Sequence, residues 1–163
     1  MIRPAVPADA PAIVQLVRDL AEYERAPEEA VATGSQLHDV LFGPQAAVFC
    51  DVAEVEGEVV GMAVWFLSFS TWLGRHGIYL EDLYVTPSRR GDGHGKALLA
   101  TLARRCVERG YGRLEWSVLD WNTPAIDFYL GLGAVGMDGW TVHRLAGAPL
   151  AALATEAPPP PSP

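Results

Sequence analysis

The chain has 163 residues, of which half are hydrophobic and a fifth are charged, a balance typical of one soluble globular domain. Its net charge of −8 argues against a nucleic-acid partner and favours either a cationic small molecule or simple solubility. No apolar run approaches the ~20 residues that span a membrane, and the N-terminus lacks a signal-peptide pattern. Cys50 and Cys106 form no CxxC pair, so we expect no metal site and a reducing, cytoplasmic location.

The first half of the chain predicts one helix-rich segment followed by a hairpin. Apolar residues recur at helical spacing from Pro7 to Glu24, and Pro7 and Asp9 suit the first turn of a helix. Glu56-Gly57-Glu58 is a turn signal between two β-prone runs, which is typical of a hairpin. The predicted elements are a strand at Ile2–Arg3, helices at Pro7–Glu24 and Ser35–Gly43, and strands at Ala47–Val55 and Val59–Leu67.

The second half alternates strands with helices. Ile78–Val85 is apolar on both faces, as expected of a central strand, and Gly95–Arg109 is an amphipathic helix that Gly110 ends. These patterns predict one domain over residues 1–150, with a mixed α/β sheet and helices on both faces. The further predicted elements are a strand at Leu114–Leu119, a short helix from Thr123, a last strand at Trp140–Leu145, and an unstructured proline-rich tail over residues 151–163.

A glycine-rich stretch, Arg90-Gly91-Asp92-Gly93-His94-Gly95-Lys96, lies between the central strand and the amphipathic helix. A helix N-terminus attracts phosphate through its unpaired N–H groups, and glycine lets a diphosphate approach the backbone closely. The stretch is not a Walker A loop, because Ala97 follows Lys96, and Lys96 also replaces the last glycine of the dinucleotide-binding GxGxxG pattern. It is therefore either a phosphate cradle or a glycine-rich turn that begins a helix.

Two adjacent carboxylates, Glu81 and Asp82, interrupt the apolar central strand and point to opposite faces of it. Burying a carboxylate is costly unless the group is paired or used. One interpretation is that a partly buried carboxylate has a raised pKa and acts as a general base. The other is that both residues lie near the edge of the sheet and pair with arginine.

The short helix from Thr123 contains Tyr129, seven residues after Asn122. Thr123 can cap this helix, and Pro124 suits its first position. Tyrosine in a helix is usually a packing residue, so the position of Tyr129 alone does not indicate catalysis.

Taken together and in this order, these stretches resemble the GNAT superfamily of N-acetyltransferases. Arg90 to Gly95 match its R/Q-x-x-G-x-G/A loop, and Asn122, Ala125, Tyr129 and Gly133 match its N-x-x-A-x-x-x-Y-x-x-x-G signature. The resemblance implies a mixed, mostly antiparallel central sheet with helices on both faces. Within the superfamily the chain is most similar to the diamine acetyltransferases, the spermidine/spermine and thialysine group, on the stretches IRPA, LAEYE, YLEDLYV, RRGDGHG, WNTPAIDFY and GW.

The resemblance implies acetyl-CoA as the donor and a division of labour between two catalytic residues. Tyr129 is implied to protonate the leaving thiolate, and Glu81 to deprotonate the amine through a water. A primary amine has a pKa of roughly 10, so it is mostly protonated at neutral pH and needs a base before it attacks. The residues implied to bind the donor are Leu83, Tyr84, Val85, Arg90, Gly91, Asp92, Gly93, His94, Gly95, Lys96, Asn122 and Ala125.

The resemblance also implies an acidic acceptor site. Diamine acetyltransferases often have Asp-Pro-Trp before the central strand, whereas this chain has Ser70-Thr71-Trp72. The missing carboxylate favours a shorter amine, such as a lysine analogue or a small diamine, or an unrelated primary amine, over a long polyamine. The residues implied to bind the substrate are Tyr23, Glu24, Trp72, Asp82 and Asp138.

Three functions stay open from the sequence. The first is acetylation of a primary amine on a small molecule, the second is acetylation of a protein or peptide by the same fold, and the third is a CoA-binding module without catalysis. The presence of both Glu81 and Tyr129 argues against the third. The resemblance further implies a homodimer.

Overall fold

The computed structural model describes residues 1–158, which divide into two compact units, Met1–Trp121 and the residues from Asn122 onward. One acetyltransferase domain over residues 1–150 remains a prediction. The elements of the first unit are β1 (Ile2–Pro4), α1 (Ala10–Tyr23), α2 (Gly34–Phe42), β2 (Val48–Val55), β3 (Glu58–Ser70), β4 (Arg75–Val85), α3 (His94–Arg109) and β5 (Leu114–Trp116), with 3-10 turns at Pro7–Asp9, Pro27–Glu29 and Pro87–Arg89. The second unit contains α4 (Thr123–Gly131) and α5 (Gly147–Ala154).

The first unit is built on one sheet with the strand order β1-β2-β3-β4-β5. Neighbouring strands are antiparallel except for β4 and β5, which are parallel, so the predicted mixed, mostly antiparallel sheet is confirmed. The turn between β2 and β3 is also as predicted: Glu56 and Gly57 have φ of 53° and 84°. Two positive φ angles in a two-residue loop match the twist of the flanking strands.

Helices cover both faces of this sheet, as predicted. On one face Leu16 of α1 packs in a buried cluster with Val52 and Met62. Side chains of adjacent strand residues point to opposite faces, so Asp51 points away from that cluster. There Asp51 binds Arg105 of α3, with 2.7 Å between its Oδ2 and the arginine Nη1. The central strands are thus enclosed between α1 and α3.

Helix α2 begins and helix α3 ends at residues that are favoured as helix caps. Thr33 caps α2: its hydroxyl oxygen accepts a hydrogen bond from the Gln36 backbone N–H, and the Gln36 side chain accepts one from the Thr33 N–H. Gly110 ends α3 with φ of 67°, as predicted. No helix within residues 1–158 is both long and apolar enough to cross a membrane.

Three predicted elements near the C-terminus differ from the structure. Strand β5 ends at Trp116 rather than at Leu119. The strand predicted at Trp140–Leu145 is wrong, because residues 140–145 adopt neither strand nor helix. Apolar residues there are exposed, including Val142 at 85%, and alternation alone supplies no partner strand.

The predicted tail also differs over its first residues. Residues 151–154 continue the helix α5, which begins at Gly147. Alanine and leucine dominate this segment, and both are strong helix formers. The end of the predicted tail, residues 159–163, lies outside the described residues.

Candidate active site

Strand β4 is irregular at the two carboxylates that the sequence singles out. Val64 of β3 lies opposite Asp82 and Trp65 lies opposite Leu80, so Glu81 is the extra residue of a β-bulge. Such a bulge re-aims side chains, and Glu81 is exposed while Asp82 is half-buried. Both carboxylates are evident in the sequence, whereas the bulge at Glu81 is not.

The bulge coincides with the point where β4 and β5 separate. Their pairing runs only from Ile78 to Leu80 on β4, opposite Leu114 to Trp116. Within residues 1–158, no strand continues the sheet on that side of β4 from Glu81 to Val85. Backbone groups on an open strand edge can pair with an extended ligand. Leu83, Tyr84 and Val85, the predicted donor-binding residues of the strand, lie on this edge.

The glycine-rich loop leads directly from this edge into α3. Gly91 and Gly93 have φ of 88° and 84°, a region that side chains other than glycine rarely adopt. A Cβ placed on either residue meets no atom within 4 Å, so the backbone faces open space. Because α3 begins at His94, the N–H groups of His94, Gly95 and Lys96 belong to its first turn. This backbone fits a diphosphate, as the phosphate-cradle interpretation expects.

Two carboxyl groups near this loop have raised pKa values. Burial, together with the charges of Glu81 and Glu24, raises the pKa of Asp82 to about 6. Partial burial also raises the pKa of Glu24, which follows the last residue of α1. The structure therefore brings Glu24, Glu81 and Asp82 together electrostatically, from two elements far apart in sequence. Such a cluster attracts an ammonium group, and Asp82 can exchange a proton near neutral pH.

Arg90, the first residue of the glycine-rich stretch, contacts the same region. Its guanidinium carbon lies 4.8 Å from the ring centre of Tyr23 and 5.2 Å from that of Tyr84. Its Nε donates a hydrogen bond of 3.0 Å to the Val85 carbonyl oxygen. The predicted donor loop and the predicted substrate residue Tyr23 are therefore in direct contact.

Two residues that sequence reasoning missed extend this contact. The ring centres of Tyr23 and Trp121 are 6.0 Å apart, and the guanidinium carbon of Arg25 lies 4.6 Å from the Trp121 ring centre. Arg25 has φ of 63°, the left-handed region that non-glycine residues rarely adopt. Arg25 directly follows the predicted pair Tyr23-Glu24, and Trp121 begins the stretch WNTPAIDFY, but neither position alone indicates these contacts.

Trp72 is the predicted substrate residue of the first unit that the structure does not bring to this cluster. It lies in the turn between β3 and β4 and is 89% exposed. Asp82 is seven residues beyond Arg75, the first residue of β4. At ~3.3 Å per residue, that part of the strand alone is roughly 23 Å long.

The second unit contains the remaining predicted residues. Asn122, rather than Thr123, is the N-cap of α4: its Oδ1 accepts a hydrogen bond of 3.4 Å from the Ala125 N–H. Tyr129 lies half-buried on the same helix, with its ring centre 5.3 Å from that of Phe128. Asp138 is exposed in the segment after α4.

Residues 12–134 match the sequence model of the acetyltransferase (GNAT) family. The chain belongs to this family. The match covers the bulged strand, the glycine-rich loop and the helix of Tyr129, and it confirms the family resemblance and the expected fold.

Some proteins are similar to this chain along nearly its whole length. A thialysine N-epsilon-acetyltransferase from Bos taurus is 38% identical, with 94% of this chain and 96% of the relative covered. An L-ornithine N5-acetyltransferase from Arabidopsis thaliana is 30% identical, with 93% of this chain and 86% of the relative covered. Among solved structures, an integron cassette protein from V. cholerae superimposes with a TM-score of 0.80 at 26% identity, covering 94% of this chain and 96% of that chain.

Proposed function

We propose that this protein is an acetyl-CoA-dependent N-acetyltransferase whose acceptor is the primary amine of a small molecule. The relatives that match along nearly its whole length are named as acetyltransferases of thialysine and ornithine, both small amino acids with a side-chain amine. The observation that carries the proposal for this chain is that β4 has an open backbone edge beyond Leu80, bears the carboxylates Glu81 and Asp82 there, and is followed by a glycine-rich loop that faces open space.

On the donor side, acetyl-CoA supplies an acetyl group activated as a thioester. The backbone N–H groups of residues 91–96 would hold the diphosphate, with the Lys96 ammonium as a further positive charge. The open edge at Leu83, Tyr84 and Val85 would pair with the extended arm of the donor. The backbone fits this role because Gly91 and Gly93 face open space. Asn122 and Ala125 stay proposed contacts to the donor.

On the acceptor side, the three carboxylates Glu24, Glu81 and Asp82 would make the site negatively charged. Glu24 and Asp82 would bind the ammonium form of the amine, whose charge offsets both the burial and the carboxylate repulsion that raise the Asp82 pKa. Glu81, exposed at the bulge, is the proposed base that takes the proton from the amine through a water. Asp138 stays a proposed contact in the second unit, and Trp72 stays a prediction from the resemblance.

Tyr129 is the proposed general acid. A tyrosine phenol has an ordinary pKa near 10, so this type of side chain carries at neutral pH the proton that a departing thiolate needs. Positioning donor and acceptor together removes much of the entropic barrier to the reaction. The proposal assigns Tyr129 to the leaving group and Glu81 to the nucleophile.

An acceptor screen tests the proposed function. The purified protein is mixed with acetyl-CoA and, in separate reactions, thialysine, ornithine, putrescine, spermidine and an unblocked peptide, and release of the free CoA thiol is followed. We expect thialysine and ornithine to react fastest and spermidine to react more slowly, since Ser70-Thr71-Trp72 lacks the carboxylate of the diamine group. Turnover of the peptide alone would instead support a protein acetyltransferase.

We also propose a cytoplasmic homodimer. The support for the dimer is the resemblance to the diamine acetyltransferases, and the support for the location is that Cys50 and Cys106 are both free thiols, as in a reducing compartment. Light scattering after size-exclusion chromatography tests the dimer, and a mass equal to one chain would contradict it.

A further inference from the structure

We propose that Arg90 is a positioning residue that couples binding of the amine to binding of acetyl-CoA. This inference rests on the proposed function, because it concerns the two halves of the same site. It adds a role for the Arg90 side chain. When the donor loop becomes ordered, Arg90 orders the acceptor residues Tyr23 and Glu24, and when these become ordered, Arg90 orders the donor loop.

The contacts of Arg90 join three separate parts of the first unit. Its guanidinium contacts both the ring of Tyr23, the last residue of α1, and the ring of Tyr84 in β4. Its Nε holds the carbonyl of Val85, at the end of the open strand edge. Its backbone continues into Gly91, the first glycine of the proposed diphosphate loop with positive φ. A shift of that loop therefore moves the side chain that holds the end of α1.

The ring contacts continue beyond Tyr23 to Arg25, a residue with strained backbone. Tyr23 contacts Trp121, and Trp121 lies under the guanidinium of Arg25. Left-handed backbone at a non-glycine residue persists only where the surroundings determine it, and such residues cluster at functional sites. Arg25 with φ of 63° directly follows Glu24, whose carboxyl is one of the proposed amine ligands. Glu24 thus stands in the chain between Tyr23 and Arg25, and both of these neighbours contact the Trp121 ring.

Arginine has the properties that this role needs. Its guanidinium is planar and keeps its charge at every pH the protein meets, so it stacks on two rings while its Nε donates a hydrogen bond. A lysine ammonium is a compact point charge and cannot stack flat on an aromatic ring as a guanidinium does. Coupling between two sites is reciprocal, so the same side chain raises the affinity for each ligand when the other is bound.

The test measures coupling directly with CoA and thialysine as probes. CoA affinity is determined by calorimetry with and without saturating thialysine, in the wild type, in Arg90→Gln, in Arg90→Lys and in the control Arg89→Gln. The control removes the same charge one residue earlier. We expect thialysine to tighten CoA binding by about fivefold or more in the wild type and in Arg89→Gln. In Arg90→Gln and Arg90→Lys we expect a factor of about two or less.

A second pair of variants tests the inference independently, in case the Arg90 variants fail to fold. Tyr23→Phe keeps the ring and should keep most of the coupling, whereas Tyr23→Leu removes the ring and should lose it. Wild-type coupling in both Arg90→Gln and Tyr23→Leu would overturn the inference, as would the absence of coupling in an active wild type. If the wild type acetylates no amine of the screen, the proposed function itself fails, and this outcome is separate from a loss of coupling.

Discussion

Arg105 of α3 and Asp51 of β2 form a two-point ion pair between the helix and the sheet, with 2.7 Å from Nη1 to Oδ2 and 3.1 Å from Nη2 to Oδ1. The Asp51 carboxylate also accepts a hydrogen bond of 2.8 Å from Nε1 of Trp65, whose ring lies 4.6 Å below the Arg105 guanidinium carbon. Asp51 is 1% exposed. This charge is buried at a cost that its three donors offset, and it ties α3 to the centre of the sheet.

Replacing Asp51 should destabilise the fold strongly. Asp51→Asn keeps the shape but leaves the guanidinium of Arg105 without its counter-charge, and losing one partner of a buried pair costs about 3 kcal/mol or more. The free energy of unfolding in urea measures this. The control is Glu108→Gln, because Glu108 pairs with Arg104 at 3.8 Å on the surface, where a change below about 0.5 kcal/mol is expected. Equal effects of the two changes would contradict the role of Asp51.

Asp82 should make stability fall as pH rises. Its pKa of about 6 lies above the ordinary value of 3.8, so its proton stabilises the folded state. That contribution is complete below the unfolded pKa and is lost as pH rises through 6. The free energy of unfolding of Asp82→Asn should therefore equal that of the wild type near pH 4. Above pH 6 it should be higher than that of the wild type, by at most about 3 kcal/mol. Urea unfolding between pH 4 and pH 8 checks this, and a constant difference across that range would contradict the raised pKa.

The two carboxylates of β4 should also separate in kinetics. Asp82→Asn should raise the KM for the amine, since the half-buried group is proposed to bind the ammonium. Glu81→Gln should lower kcat by on the order of 100-fold, since the exposed group is the proposed base. Initial rates over a range of thialysine concentrations measure both constants. A larger loss of kcat in Asp82→Asn than in Glu81→Gln would move the base to Asp82.

Tyr129→Phe should keep acetyl-CoA binding and lose most turnover. The phenol is the proposed proton donor to the leaving thiolate, and general-acid catalysis is worth on the order of 100-fold or more. Release of CoA thiol gives the rate, and calorimetry gives the affinity. Tyr111→Phe removes a hydroxyl at the far end of α3 and should change neither. Near-normal turnover in Tyr129→Phe would remove the general-acid role.

Gly93→Val should abolish CoA binding. Gly93 is the N-cap of α3 with φ of 84°, which valine adopts only with strain, and its side chain would occupy the open space above the loop. Gly110→Val is the matched control, since Gly110 ends the same helix with φ of 67° and also faces open space. Both variants should lose similar stability, and the control should still bind CoA. Tight CoA binding by Gly93→Val would show that the cradle is wrongly assigned.

The parts of the structure that were predictable from the sequence are those with local causes. The turn that contains Gly57 and the positive φ angles at Gly91 and Gly93 follow from glycine, which favours such backbone. The bulge at Glu81 was not predictable, because it depends on how β4 pairs with β3. The wrong strand at Trp140–Leu145 has the same cause, since a local pattern cannot supply a pairing partner.

The candidate site divides in the same way. Tyr23, Glu24 and Asp82 were expected through the family resemblance, and the structure brings their elements together. The contact of Arg90 with Tyr23 depends on the packing of α1 against the sheet, which no local pattern encodes. Asp51 was missed because one aspartate in a strand looks like a solvent-facing residue until α3 is placed over it.

Acetyl transfer in a mixture of acceptors tests the central claim most directly. The protein and acetyl-CoA are incubated with equal concentrations of thialysine, spermidine and an unblocked peptide, and the products are identified by mass spectrometry. We expect thialysine to gain one acetyl group on its side-chain amine and to be the main product. Acetylation of the peptide alone, or consumption of acetyl-CoA without an acetylated amine, would contradict it.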